Sequence, residues 1–248
     1  MGEQSEKLRE KTVNVSLDGV KAAVIYHMFK GSEVNTLLVS FDRKRRVLST
    51  LDGYKESCYV ANTYTPPALE EYVMKKLSEF KRNLPLALGI DPEKTTFLIT
   101  AVDMDDLAVC ERSYEEFTVC CLATAGAKEN AMRMGQDVTR YVERDGHVSA
   151  IGTINLILLT NTTLAEGAMA RAIITATEAK TAVLQDLDVK STYSPQYQAT
   201  GTGTDNMIVV SGKMSKPLHV SSGHTKMSEL IAFATKIAVT EALKKHDK

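Results

Sequence analysis

Long apolar runs, paired cysteines and an excess of charge of either sign are all missing from this sequence. No window approaches the roughly 18 consecutive apolar residues that a membrane-spanning helix needs, so no span is expected. The four cysteines, Cys58, Cys110, Cys120 and Cys121, form no C-x-x-C pair, which argues against zinc or a disulfide framework and for buried thiols acting as small apolar groups. Neighbouring Cys120 and Cys121 would point to opposite faces of a strand. Thirty basic residues against 31 acidic ones leave a net charge of −1, too little field to hold nucleic acid. Also missing are the Walker and dinucleotide loops, the G-x-S-x-G elbow, internal repeats and low-complexity tracts. With a polar, charged segment from Met1 to Lys7, the expected location is the cytoplasm.

What is present is a globular composition, 44% apolar over 248 residues, enough for a sizeable core in a single domain spanning 1–248. Short apolar runs at Thr12 to Val15, Val20 to Tyr26, Asn35 to Phe41 and Val47 to Ser49 predict an antiparallel meander, with Arg43 to Arg46 as a charged hairpin tip. Thr65-Pro66-Pro67 then opens a helix expected to reach about Asn83. Runs at Thr96 to Thr100, Phe117 to Leu122 and Ile151 to Leu159 read as central strands. Thr163 to Glu166 has the pattern of a capping box before an alanine-rich helix from Glu166 to Leu187. A strand at Met207 to Val210 and a last helix after Thr225 complete the chain. This order implies an α+β fold, a layered mixed β-sheet packed by helices.

Three features exceed what local structure requires. Gly201-Thr202-Gly203-Thr204-Asp205, just before a buried strand, offers close backbone approach and hydroxyls to a ligand, although a tight turn alone would also explain it. His224 precedes the N-cap of the last helix, where the positive dipole end disfavours imidazolium and keeps the ring neutral, as a base or a cobalt ligand must be. Lys180 falls in the middle of the apolar stripe Met169, Ile173, Ala176, Val183, Leu184, so it must snorkel, pair with a carboxylate or serve chemistry. Glu178 shares the opposite face with Arg171, where a solvated ion pair is the plain reading. Asp103-Met104-Asp105-Asp106 lacks calcium-loop spacing and reads as an N-cap cluster, so no protein metal site is expected. Thr124, Asn130 and Asn155 sit at the ends of buried strands, a usual place for ligand contacts.

Taken together, Val47 to Thr50, Leu98 to Ala101, Thr124-Ala125-Gly126 with Asn130, Gly152 to Asn155, Glu178 to Ala182, Ala199 to Asp205 and Gly223-His224-Thr225 resemble the adenosylcobinamide amidohydrolase family in order and spacing. The resemblance implies hydrolysis of the amide joining aminopropanol to a corrin side chain, giving adenosylcobyric acid for cobalamin salvage. Cobalt would arrive within the corrinoid substrate, and no further cofactor is implied. Leu51-Asp52-Gly53-Tyr54 departs from the family's double glycine, which bears on substrate range more than on reaction type. The catalytic candidates are His224 as base, Asp205 orienting it, and Lys180 or the amides of Gly201 to Thr204 on the oxyanion, with Glu178 beside them; the nucleophile is activated water or a threonine. Substrate-binding candidates are Thr124, Asn130, Asn155, Gly201, Thr202, Gly203 and Thr204. A corrinoid carrier, a paralogue with another amide substrate, and a nucleotide-binding enzyme remain as alternatives, and a homo-oligomer is left open.

Overall fold

A computed structural model describes residues 7–139, 151–214 and 216–247. Its strands are β1 (Lys7–Val13), β2 (Val20–Phe29), β3 (Ser32–Ser49), β4 (Gly53–Tyr64), β5 (Thr95–Thr100), β6 (Ala108–Tyr114), β7 (Phe117–Ala125), β8 (Ala131–Met132), β9 (Ile151–Gly152), β10 (Ile154–Thr160), β11 (Gly201–Thr202) and β12 (Asn206–Val210). The helices are α1 (Pro67–Lys75), α2 (Leu77–Ala87), α3 (Glu166–Asp186) and α4 (Lys226–His246). None of these helices is long and apolar enough to cross a membrane.

The main sheet runs β6-β7-β10-β12-β3-β4-β5-β9, with β1 and β2 attached to β3. Since only Thr153 separates β9 from β10, the strand path returns to itself and the sheet curls around an inner core. The long β3 makes this possible. Its Ser32 to Phe41 stretch pairs with β2, and on the same edge Val47 to Ser49 pairs with β12. Parallel pairs β10–β12 and β4–β5 sit among antiparallel ones, so the sheet is mixed and the α+β expectation holds.

Alternation along the strands sorts the side chains into layers. In β10, Ile154, Leu156 and Leu158 meet α3 and α4, while Ile157 and Leu159 join the inner core. The adjacent cysteines divide the same way, Cys120 inward and Cys121 toward the helices. Burial holds both thiols protonated, pushing Cys121 up to about 12. A third cluster forms where Leu69, Val73, Phe80 and Leu84 of α1 and α2 cover Phe97 and Ile99.

Three local expectations change. Arg43 to Arg46 is no hairpin tip: β3 continues through it, and a register shift between Ser40 and Arg45 absorbs the extra residues. Arg45 is buried there, its guanidinium donating to Asp42 Oδ1 at 3.1 Å. The helix from Pro67 breaks at Lys76 (φ −136°, ψ 43°) into α1 and α2. Thr163 does not cap α3, whose N-cap is Ala165, because its hydroxyl donates to the carbonyls of Gly212 and Met214 instead. Thr225 does cap α4, accepting from Ser228 N at 3.3 Å.

Candidate active site

The apolar stripe of α3 faces the sheet, so Lys180 is carried into the core, with its side chain 6% exposed. It neither snorkels nor stands alone. Its ammonium pairs with Asp205, which lies in the turn between β11 and β12, and donates to Thr200 O at 3.2 Å. The Asp205 carboxylate also accepts the Thr202 hydroxyl at 2.6 Å and the Thr202 amide at 3.2 and 3.1 Å. A β-carbon on Gly201 would fall on the Asp205 carboxylate and 2.6 Å from the lysine nitrogen. Glycine is therefore required for this ion pair to rest against the backbone.

Lys180, Thr202, Gly203, Asp205, Asn206 and Thr50 form the polar wall of a cleft of about 300 Å³, whose apolar side is Ile154, Leu156, Ile173 and Met207. The backbone amides expected to bind an oxyanion are already engaged: Thr202 N by Asp205, Gly203 N by Asn130 O at 3.1 Å, and Thr204 N by Thr202 Oγ1 at 3.3 Å. A different donor lies on the same wall. Asn206 accepts from Thr50 Oγ1 at 3.0 Å and donates one amide hydrogen to Thr204 O at 3.1 Å, which leaves its second hydrogen.

The other strand-end residues gather at this same end of the sheet. Asn130 Nδ2 reaches Thr204 Oγ1 at 3.2 Å and Thr153 Oγ1 at 3.4 Å, and the two hydroxyls lie 3.0 Å apart. Behind them, Asn155 donates to Asn62 Oδ1 at 2.8 Å and to Ile99 O at 2.9 Å, and Asn62 donates to Thr124 Oγ1 at 2.9 Å. Asn62, Thr124 and Asn155 are buried, so they brace the inner end of the site rather than line its surface. Asn62 and Asn206 were not singled out from sequence. An asparagine inside the apolar run Val60-Ala61-Asn62 would have marked the first, had β4 been recognised as a strand.

The sequence model of the adenosylcobinamide amidohydrolase family matches residues 20–248. The chain belongs to this family. An uncharacterized protein of Methanocaldococcus jannaschii is 44% identical over 227 residues, 87% of this chain and 88% of that one. An adenosylcobinamide amidohydrolase of Methanosarcina mazei is 31% identical over 150 residues, 60% of this chain and 58% of its own length. A protein of Pyrococcus horikoshii known from its crystal structure aligns over 99% of this chain and 92% of its own, at 11% identity and TM-score 0.48, a likeness that carries no argument.

Two residues expected to be catalytic do not line this cleft. Glu178 is exposed, about 200° around α3 from Lys180, and lines an outer groove between α3 and α4 with Gly223, Phe233 and Lys236. His224 is exposed at the start of α4. The physical reason is the direction of β12, which carries the chain away from Asp205 by about 16 Å over five residues. The segment beyond it is tied down near that far end, where Leu218 bridges to Leu164, and then comes back alongside α3, with Ser221 Oγ donating to Ala168 O at 2.8 Å and Ser228 Oγ 3.1 Å from Thr175 Oγ1. Among the described residues, Asp205 thus orients no histidine; its side-chain partners there are Lys180 and Thr202.

Other acidic residues have structural duties. Asp103 caps a short 3₁₀ turn at Met104–Asp106, accepting from Asp105 N at 2.7 Å, and Asp106 pairs with His246 at 2.9 Å. Among the described residues, no group of three His, Cys, Asp or Glu could hold a metal ion. Asp52, the departure from a double glycine, pairs with Lys81 and accepts from Phe97 N at 3.2 Å, tying the β3–β4 turn to α2 and β5.

Proposed function

We propose that this chain hydrolyses the amide that joins aminopropanol to the corrin side chain of adenosylcobinamide, releasing adenosylcobyric acid. The observation that carries the reading is the buried Lys180–Asp205 pair with Thr202 on the wall of a small cleft. At about 300 Å³ the cleft is at the low end for ligand sites, suited to an amide arm but not to a macrocycle. The corrin ring would rest outside the mouth, and cobalt stays within the substrate. The apolar side formed by Ile154, Leu156, Ile173 and Met207 suits the small alkyl group of the amine.

Amide hydrolysis needs a proton acceptor for the attacking oxygen, donors for the carbonyl oxygen as it gains charge, and a proton for the leaving amine. Asp205 is the acceptor in this reading. Lys180 and the free amide hydrogen of Asn206 stabilise the oxyanion, and Lys180 supplies the amine's proton. Asn130, Thr153 and Thr204 keep the β11–β12 turn in place behind them. Purified protein incubated with adenosylcobinamide, without ATP, should release aminopropanol and adenosylcobyric acid in equal amounts, read by chromatography and mass spectrometry. Tight corrinoid binding with no release would make the chain a carrier, and release from a different amide alone would make it a paralogue of altered specificity.

A further inference from the structure

We infer that Thr202 is the covalent nucleophile, so that hydrolysis passes through an ester between its side chain and the corrin carboxyl group. The inference rests on the amidohydrolase reading and adds the identity of the attacking atom. What points to the side chain rather than to water is the occupancy of the base. Both Asp205 oxygens are taken, Oδ2 by Lys180 and Oδ1 by the Thr202 hydroxyl at 2.6 Å, with the Thr202 amide contacting each. The hydroxyl proton held on the carboxylate is therefore that of Thr202, and a water would have to compete with it for Oδ1.

The hydroxyl is also prepared for attack. Thr202 is 2% exposed, yet it lines the cleft beside Lys180, Asp205 and Asn206. Its oxygen accepts from Thr204 N at 3.3 Å, a donor that favours negative charge developing there. Thr202 also sits in a backbone held on both sides, since β11 pairs with β8 and Thr200 O accepts from both Lys180 and Thr181. No chain cleavage is needed to expose the nucleophile.

The step balances without a co-reactant other than water. Thr202 Oγ1 bonds to the amide carbon and passes its proton to Asp205 Oδ1. The carbon–nitrogen bond breaks as Lys180 gives a proton to the departing amine, and the protonated Asp205 then restores the ammonium across their contact. Water next attacks the ester carbon and gives a proton to Asp205. That proton returns to Thr202 Oγ1 as the carbon–oxygen bond breaks and the acid leaves. The pair begins and ends as carboxylate and ammonium.

A shared acyl-enzyme makes partitioning independent of the amine that left. The full-length protein is given hydroxylamine as a competing nucleophile with either of two corrinoid amides, adenosylcobinamide or the corresponding 2-aminoethanol amide. The expected result is one ratio of hydroxamate to acid for both substrates. Thr202→Ser should keep activity within about tenfold of the parent, and Thr202→Ala should lose about 10³-fold or more while its circular dichroism and melting profile match those of Thr202→Ser. A ratio that changes with the leaving amine, or a folded Thr202→Ala that works within tenfold of the parent, overturns the nucleophile while leaving the amidohydrolase reading intact. Absence of amine release by the parent protein removes that reading, and this inference with it.

Discussion

Replacing Lys180 by methionine tests the ion pair on which the site is built. Methionine preserves much of the apolar stem that α3 turns toward the sheet, so packing changes little. The charge is the main loss. Removing one member of a buried pair costs about 3–5 kcal/mol because the other charge is left uncompensated. Here the cost falls below that range, since Asp205 is 22% exposed and keeps both donors from Thr202. About 2 kcal/mol is expected for Lys180→Met, read as a lower urea midpoint with an unchanged slope. Adding Asp205→Asn should recover most of that loss, because the uncompensated charge is gone, and the coupling in the double-mutant cycle should exceed about 1 kcal/mol. Activity behaves differently: Lys180→Met should fall by about 10² or more in kcat, and the double variant should stay inactive although its stability returns. If Lys180→Met instead kept kcat within threefold of the parent, or if the second substitution brought activity back together with stability, Lys180 would be a structural counter-ion with no part in the chemistry.

Gly201→Ala should cost activity out of proportion to stability, since the new methyl displaces the ends of two flexible side chains and no backbone; a kcat loss below about threefold would show that the pair tolerates a shift. His224→Ala should leave kcat and melting temperature within threefold and about 2 °C of the parent, because the ring is exposed and does not line the Lys180–Asp205 cleft; a drop of 10² would restore it as a base. His27 is 1% exposed, and burial pushes its imidazole down to about 4. The unfolded chain takes up that proton near pH 6.5, so between pH 6.5 and 4 it binds more protons than the folded one, and stability is lost as the pH is lowered through that window, by on the order of 3 kcal/mol. His27→Gln should flatten that part of the urea-midpoint profile, and an unchanged profile would assign the acid sensitivity to other groups.

Sequence alone determined much of the local structure. Apolar periodicity on α3 put Lys180 on the face turned toward the sheet, because a helix repeats regularly, but left open whether its ammonium would snorkel out or pair inside. Alternation likewise sent Cys120 and Cys121 to opposite layers, and Thr225 announced the start of α4. The residues at strand ends, Thr124, Asn130, Asn155 and Thr202 to Asp205, could be picked out because polar groups bounding buried strands must meet a partner or a ligand. Tertiary structure decided which of them meet. Whether β3 stopped at its arginines or ran through them depended on pairing with β12, a strand far away in sequence. The choice of partner for Asp205 depended on direction: β12 leads the chain away from the Gly201 to Asp205 turn, so His224, close by in sequence, does not line its cleft, while Lys180 returns to it along α3. Periodicity fixes the face on which a side chain stands, but the contacts across a sheet follow from strand order and direction, which no local pattern records.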